Sequence, residues 1–294
     1  MKASRSEFVT LRKRRHHVRL WGDRDAGSPV LFLLHGWQDF SASFQFLVDA
    51  LPREWCCIAP DWRGFGQSQW NHDGYWFPDY LADLDGLLDH YSPTGPVRLV
   101  GHSMGGNVAC VYAGVRPGRV LRLATLEGFG LPASDPSDAP GRYAQWLDQL
   151  RAPPVNRDYA DHDALALRLR RLNPRLSMAR AAFLAQHFGV VEDVAQGSGR
   201  VVIASDPYHK LVAPYPYRFE EAKACWRRVT APVLWVEGQQ STAMKMYQSL
   251  GDEDYQARLA CFQNLRRVSL EDAGHNLHHD QPERLAALLE EFMA

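Results

Sequence analysis

The stretch "PVRLVGHSMGGNVACVYAGV", residues 96–115, changes backbone periodicity within a few residues. "PVRLVGHS" is a short apolar run of the kind that forms a buried strand, and "GGNVACVYAGV" has the spacing of a helix. A strand that passes into a helix over so tight a turn leaves no room for side chains at Gly101 and Gly105. The same turn lifts Ser103 onto a strained backbone with its hydroxyl exposed at the carboxyl edge of a sheet. The amide of Met104 then opens the helix and is placed to receive developing negative charge.

Working outward, the same alternation recurs. "VLFLLHG" (30–36), "WCCIAPD" (55–61) and "VLRLATLEG" (120–128) read as strands, and "ASFQFLVDAL" (42–51) and "YLADLDGLLDHY" (80–91) as helices. The rhythm stops after Gly130 and resumes at "APVLWVEG" (231–238), followed by "LRRVSL" (265–270) and a last helix "ERLAALLEEFM" (283–293). This β-α-β order predicts an α/β fold with a mostly parallel central sheet and helices on both faces. The core is expected in two parts, 1–130 and 229–294, with 131–228 as an inserted, mostly helical cap or lid.

Composition narrows the function classes. With 46% hydrophobic and 23% charged residues the chain reads as globular, and a net charge of −1 gives no electrostatic case for nucleic acid as the main partner. The basic run "LRKRRHHVR" (11–19) reads as a turn between two edge strands. Five cysteines without a C-x-x-C pair suit buried thiols of a reducing compartment. No apolar h-region and no membrane-length apolar run is visible, so a soluble, cytoplasmic protein with a small-molecule substrate is expected.

Three further motifs carry chemistry. In "HGWQ" (35–38), His35-Gly36 allows a sharp turn that aims the backbone amide of Trp37 into the site. "DWRGFGQS" (61–68) reads as a structural loop held by charge-assisted hydrogen bonds of Asp61 and Arg63. "DAGHNLHHDQPERL" (272–285) places His275 at the end of the last strand, where it can serve Ser103 as general base. The H-x-x-H-H spacing of His275, His278 and His279 lacks a clean helical i,i+4 pair and nearby cysteines, so no metal and no cofactor is expected.

In this order and spacing, "HGW", "DWRGFGQS", "GHSMGG" and "AGHNLHHDQPE" resemble the α/β-hydrolase fold superfamily, specifically a cap-bearing, esterase-like serine hydrolase. The resemblance covers nearly all of the chain outside 131–228. It implies a Ser–His–acid triad that opens an ester or thioester through an acyl-enzyme, with the amides of Trp37 and Met104 as oxyanion hole. Carbon–carbon bond hydrolysis, a lyase activity, or a ligand-binding protein with poor turnover are the alternatives. Epoxide hydrolase and dehalogenase chemistry is disfavoured, because those relatives use Asp where Ser103 stands. The acid departs from the common pattern. Most relatives place it in a turn reading roughly G-x-x-D, and here that turn is "GQQS", with Ser241 in its place. Glu127, at the end of the strand after Ser103, is the expected acid, as in some cap-bearing members. Glu237 and Asp272 are the reserves.

Overall fold

The computed structural model describes residues 1–23, 27–192, 199–249 and 251–294. Its main sheet contains β1 (Ser4–Leu11), β2 (Arg14–Trp21), β3 (Val30–Leu34), β4 (Cys56–Pro60), β5 (Val97–His102) and β6 (Val120–Leu126). After a long intervening segment come β10 (Val233–Gly238) and β11 (Leu265–Leu270). The strand order is β1-β2-β4-β3-β5-β6-β10-β11. Pairing is parallel from β4 through β11 and antiparallel between β1 and β2 and between β2 and β4.

The apolar runs at the centre of the sequence are explained by this order. β3 and β4 are covered on both faces, so both are apolar nearly throughout, whereas edge strands β1 and β11 are half polar. Alternate residues of β3 feed two cores. Phe32 and Leu34 pack with the helices Phe77–Tyr91 and Met104–Val115, and Leu31 and Leu33 pack with Gln45–Ala50 and Pro282–Met293. The basic run at 11–19 does form a turn, with Arg12 and Lys13 both at positive φ, but only β1 is an edge strand because β2 also pairs with β4.

Between β6 and β10 lie the helices Ala139–Arg151, His162–Leu172, Met178–Phe188 and Phe219–Trp226. The same segment carries a small antiparallel sheet that the sequence reading did not anticipate: β7 (Asp158–Tyr159), β8 (Gly189–Glu192) and β9 (Arg200–Ile203), in the order β7-β9-β8. Phe219, Ala222 and Trp226 sit in the core of the main sheet, so the last of these helices packs as part of its helical layer. The helices His162–Leu172 and Met178–Phe188, with Tyr159 of β7 and Val201 of β9, share a third apolar cluster with Phe40, Ala42 and Phe46, in which Phe188 stacks on Phe40 at 4.9 Å.

The sheet reverses its winding at β3, whose neighbours are β4 on one side and β5 on the other. At such a switch point the loops after the strands part and leave a crevice at their carboxyl ends. The turn after β5 is held there by close backbone contact. A Cβ on Gly105 would lie 2.2 Å from the Leu34 carbonyl oxygen, and one on Gly101 2.5 Å from that of Gly105. Gly105→Ala is therefore expected to destabilise the protein by about 1–3 kcal/mol, the usual cost of overpacking. Gly118→Ala, whose added Cβ meets nothing within 4 Å, is the control. Thermal unfolding checks the pair, and equal midpoints for the two variants would contradict the packing described.

Candidate active site

Ser103 lies between β5 and the helix Met104–Val115 with φ 50 and ψ −115, a conformation that L-residues adopt only under constraint. The constraint is visible in its bonds: the Ser103 amide donates to the Leu126 carbonyl at 2.8 Å, and its own carbonyl accepts from Asn107 at 3.0 Å. The amide of Met104 belongs to the first turn, where no intrahelical acceptor exists. Across the turn, a Cβ on Gly36 would lie 3.2 Å from the Ser103 Cβ, so the backbone leading to Trp37 passes beside the serine. The Trp37 side chain is half exposed.

His275 joins two of the residues singled out in the sequence. Its Nε2 is 3.1 Å from Ser103 Oγ, and its Nδ1 is 3.1 Å from Glu127 Oε2. A carboxylate can only accept, so Nδ1 carries the hydrogen and Nε2 presents its lone pair to the serine hydroxyl. Glu127 follows β6 at φ 58 and is fixed by a bond from its amide to the Val236 carbonyl at 2.9 Å. Its carboxylate is buried, and such a group needs partners. It has three: the Gly238 amide reaches Oε1 at 2.7 Å, and Ser241 Oγ and His275 both reach Oε2.

The turn "GQQST" is thus explained. Ser241 donates its hydroxyl hydrogen to the Glu127 carboxylate. The same hydroxyl accepts from the Met244 amide at 3.3 Å and so caps the helix Thr242–Ser249. Gly238 is required where this turn crosses the loop before His275, since a Cβ there would lie 2.4 Å from the Gly274 carbonyl oxygen. Asp280 anchors that loop from the other side, accepting from the Gly274 amide at 2.8 Å and from Asn173 Nδ2 at 2.6 Å.

The reserve acids lie elsewhere. Glu237 is inside β10 and bonds Arg267 and the Tyr255 hydroxyl, and Asp272 accepts from Gln240 Nε2 at 3.3 Å. His35 is structural. It donates from Nδ1 to the Gly36 carbonyl at 2.7 Å and accepts from the Trp62 amide at 2.9 Å, and burial lowers it to about 4. Asp61 and Arg63 hold their loop as expected. Burial is the largest single influence on Asp61 and opposes its charge, but the hydrogen bond and electrostatic attraction of His17, with those of His35 and the Gln67 amide, together outweigh it and keep the carboxyl far below the usual range. Arg63 forms a two-pronged bond to Asp83 at 2.6 and 2.5 Å. Of the aromatic residues in the inserted segment, Phe183 and Phe188 are engaged by Phe46 and Phe40 of the core, while Tyr143 is 39% exposed.

Sequence reasoning passed over a second polar group against this site. His102, buried beside Ser103, donates from Nε2 to the His275 carbonyl at 2.9 Å. Around it lie Asp39, Ser43, His278 and His279. Burial, reinforced by the neighbouring imidazoles, holds His102 and His278 far below the normal imidazole range, and burial lifts the Asp39 carboxyl to about 7. No local motif marks this group, because its members come from three segments far apart in the chain: the turn at 39–43, the end of β5 and the short helix Leu277–Asp280.

Residues 29–282 match the family described as alpha/beta hydrolase fold. Over 287 residues the chain is 23% identical to a serine hydrolase-like protein of Dictyostelium discoideum, covering 94% of this chain and 77% of that one. A serine hydrolase-like protein of Danio rerio is 37% identical over 122 residues, covering 41% of this chain and 36% of that protein. The chain therefore spans only about a third of the zebrafish relative's length. Among solved structures, a thioesterase domain from the curacin biosynthetic pathway superimposes with a TM-score of 0.84 at 27% identity, covering 98% of this chain and 99% of that one. Among the described residues no helix is long and apolar enough to cross a membrane. Sheet order, the turn at Ser103 and these similarities lead to one conclusion: the chain belongs to the alpha/beta hydrolase fold family.

Proposed function

We propose that the protein is a serine hydrolase that opens a carboxylic ester or thioester of a small to medium, partly apolar substrate. The observation that carries this reading is the unbroken line from Ser103 Oγ through His275 to Glu127, with both contacts at 3.1 Å. Ser103 Oγ attacks the substrate carbonyl while its proton passes to His275 Nε2. Glu127 holds the ring in the required tautomer and stabilises the imidazolium that forms. The amides of Met104 and Trp37 receive the negative charge on the carbonyl oxygen. His275 then gives its proton to the leaving alcohol or thiol. Water, deprotonated by the same nitrogen, releases the acid and regenerates the serine hydroxyl. The part of the inserted segment that precedes the helix Phe219–Trp226 serves as lid and selects the substrate.

Relatives support this chemistry without fixing the substrate. A protein of Acinetobacter calcoaceticus described as a bifunctional esterase/perhydrolase is 34% identical over 110 residues, which is 36% of this chain and 38% of that one.

A fluorophosphonate probe should label wild-type protein at Ser103, and p-nitrophenyl esters of graded chain length should be turned over. Ser103→Ala should abolish both while leaving the thermal midpoint near wild type. Folded wild-type protein that neither labels nor turns over ester would instead favour a ligand-binding role. Glu127→Gln removes the charge at constant shape and should lower kcat by about 10²–10⁴-fold, the upper end being the loss known for the equivalent change in serine proteases. Ser241→Ala, which deletes one of three donors to the carboxylate, should cost less, about 10- to 100-fold, in line with about 1.5–3 kcal/mol for a hydrogen bond to a charged group. Wild-type kcat in Glu127→Gln would remove Glu127 from the mechanism.

A further inference from the structure

Asp39, His102 and His278 each direct one ligand atom to a common point, with all three atoms within 4.8 Å of one another. Asp39 Oδ2 is 4.0 Å from His102 Nδ1 and 3.8 Å from His278 Nε2. The tautomer of His102 is fixed, because its Nε2 faces a carbonyl oxygen that can only accept. Its lone pair is therefore on Nδ1, which is buried and has no hydrogen-bond partner. At 4.0 Å, Asp39 is too far to donate to it in either protonation state. Space is kept open on this side as well: a Cβ on Gly36 would lie 3.0 Å from the same nitrogen.

A buried lone pair beside a carboxylate and a second imidazole, with nothing to accept, is what a cation satisfies. We propose that Asp39, His102 and His278 form a binding site for one divalent transition cation of the zinc class, separate from the Ser103–His275–Glu127 line. Two nitrogens and one oxygen suit such an ion. Tetrahedral bonds of 2.0–2.1 Å imply ligand separations of about 3.4 Å, so the two Asp39 distances need to close by about half an ångström and the separation of the two imidazole nitrogens, which lies within 4.8 Å, by at most about 1.4 Å. The ion displaces the hydrogen bond between Ser43 Oγ and His278 Nε2, and Ser43 keeps its contacts with Asp39 at 3.0 Å and His279 at 2.8 Å. Water or Ser43 Oγ completes the shell. The outward hydrogen bond of His102 to the His275 carbonyl is the support that metal-bound imidazoles normally have. Entry is past Asp39, whose side chain is 14% exposed. The sequence expectation of no metal rested on the H-x-x-H-H run, and this site takes only His278 from it.

The test is a titration of chelator-treated, full-length protein with Co²⁺, read by the visible d–d absorption of the bound ion. Wild type should saturate at one equivalent and lose the bands to added Zn²⁺, and Zn²⁺ should raise its thermal midpoint. Ser103→Ala and His275→Ala should titrate like wild type. Asp39→Asn and His278→Gln should bind more weakly by about tenfold or more, the lower end of the cost of losing even an outer-shell partner. If His278→Gln does not fold, Asp39→Asn decides, since it removes the charge at nearly constant size. Absence of bands in wild type would overturn the proposal. So would unchanged binding in folded Asp39→Asn, or loss of binding in His275→Ala, which would move the ion to the His275–Glu127 pair.

Discussion

The buried carboxylate of Glu127 is the charge around which the carboxyl edge of the sheet is arranged. An ionised group at that depth is costly unless every lone pair it presents finds a donor. The donors come from three places: the end of β10 at Gly238, the helix cap at Ser241, and the loop after β11 at His275. One side chain thus ties the ends of three neighbouring strands, and this fixes where the His275 ring stands relative to Ser103. The positive φ of Glu127 is part of the same device, since it turns the side chain away from the strand direction and towards the histidine.

Glu127 and Ser241 also show how groups from two strand ends can meet beside one histidine. β6 and β10 are adjacent and parallel, so residues just past their ends lie within reach of one imidazole. With the carboxylate on β6, the β10 turn is free to supply a hydroxyl. Serine suits that position twice over, as donor to Glu127 and as acceptor from the Met244 amide. An aspartate at 241 could still cap the helix, but would set a second anion against Glu127. The glycines at 36, 101, 105 and 238 are the other half of the arrangement. Each stands where two backbones approach so closely that a Cβ would collide or crowd a neighbouring side chain.

Much of this was legible from the chain. The central strands are covered on both faces, so their apolar runs stand out, and the turn at Ser103 leaves a local imprint in its two glycines. His275 is marked by its place between the last strand and the last helix. That Glu127 lies beside His275 could be anticipated because the turn after β10 carries a residue that cannot ionise. What stayed hidden depends on contacts between distant segments. The partnership of Ser241 with Glu127 exists only because two strand ends meet. The grouping of Asp39, His102 and His278 draws on three distant segments with no shared spacing. The small sheet β7-β9-β8 was missed for a different reason: its strands are only two to four residues long, too short for a periodicity to show.

Whether Glu127 holds the His275 ring can be read without substrate. In proton NMR, the Nδ1 hydrogen of His275, bonded to a buried carboxylate, should give a resonance well downfield of the amide region. Comparison with His275→Ala assigns it against the similar hydrogen that His17 gives to Asp61. The arrangement around Glu127 predicts that Glu127→Gln moves the assigned resonance markedly upfield or removes it, while Ser103→Ala leaves it in place. An unchanged His275 resonance in folded Glu127→Gln would contradict it.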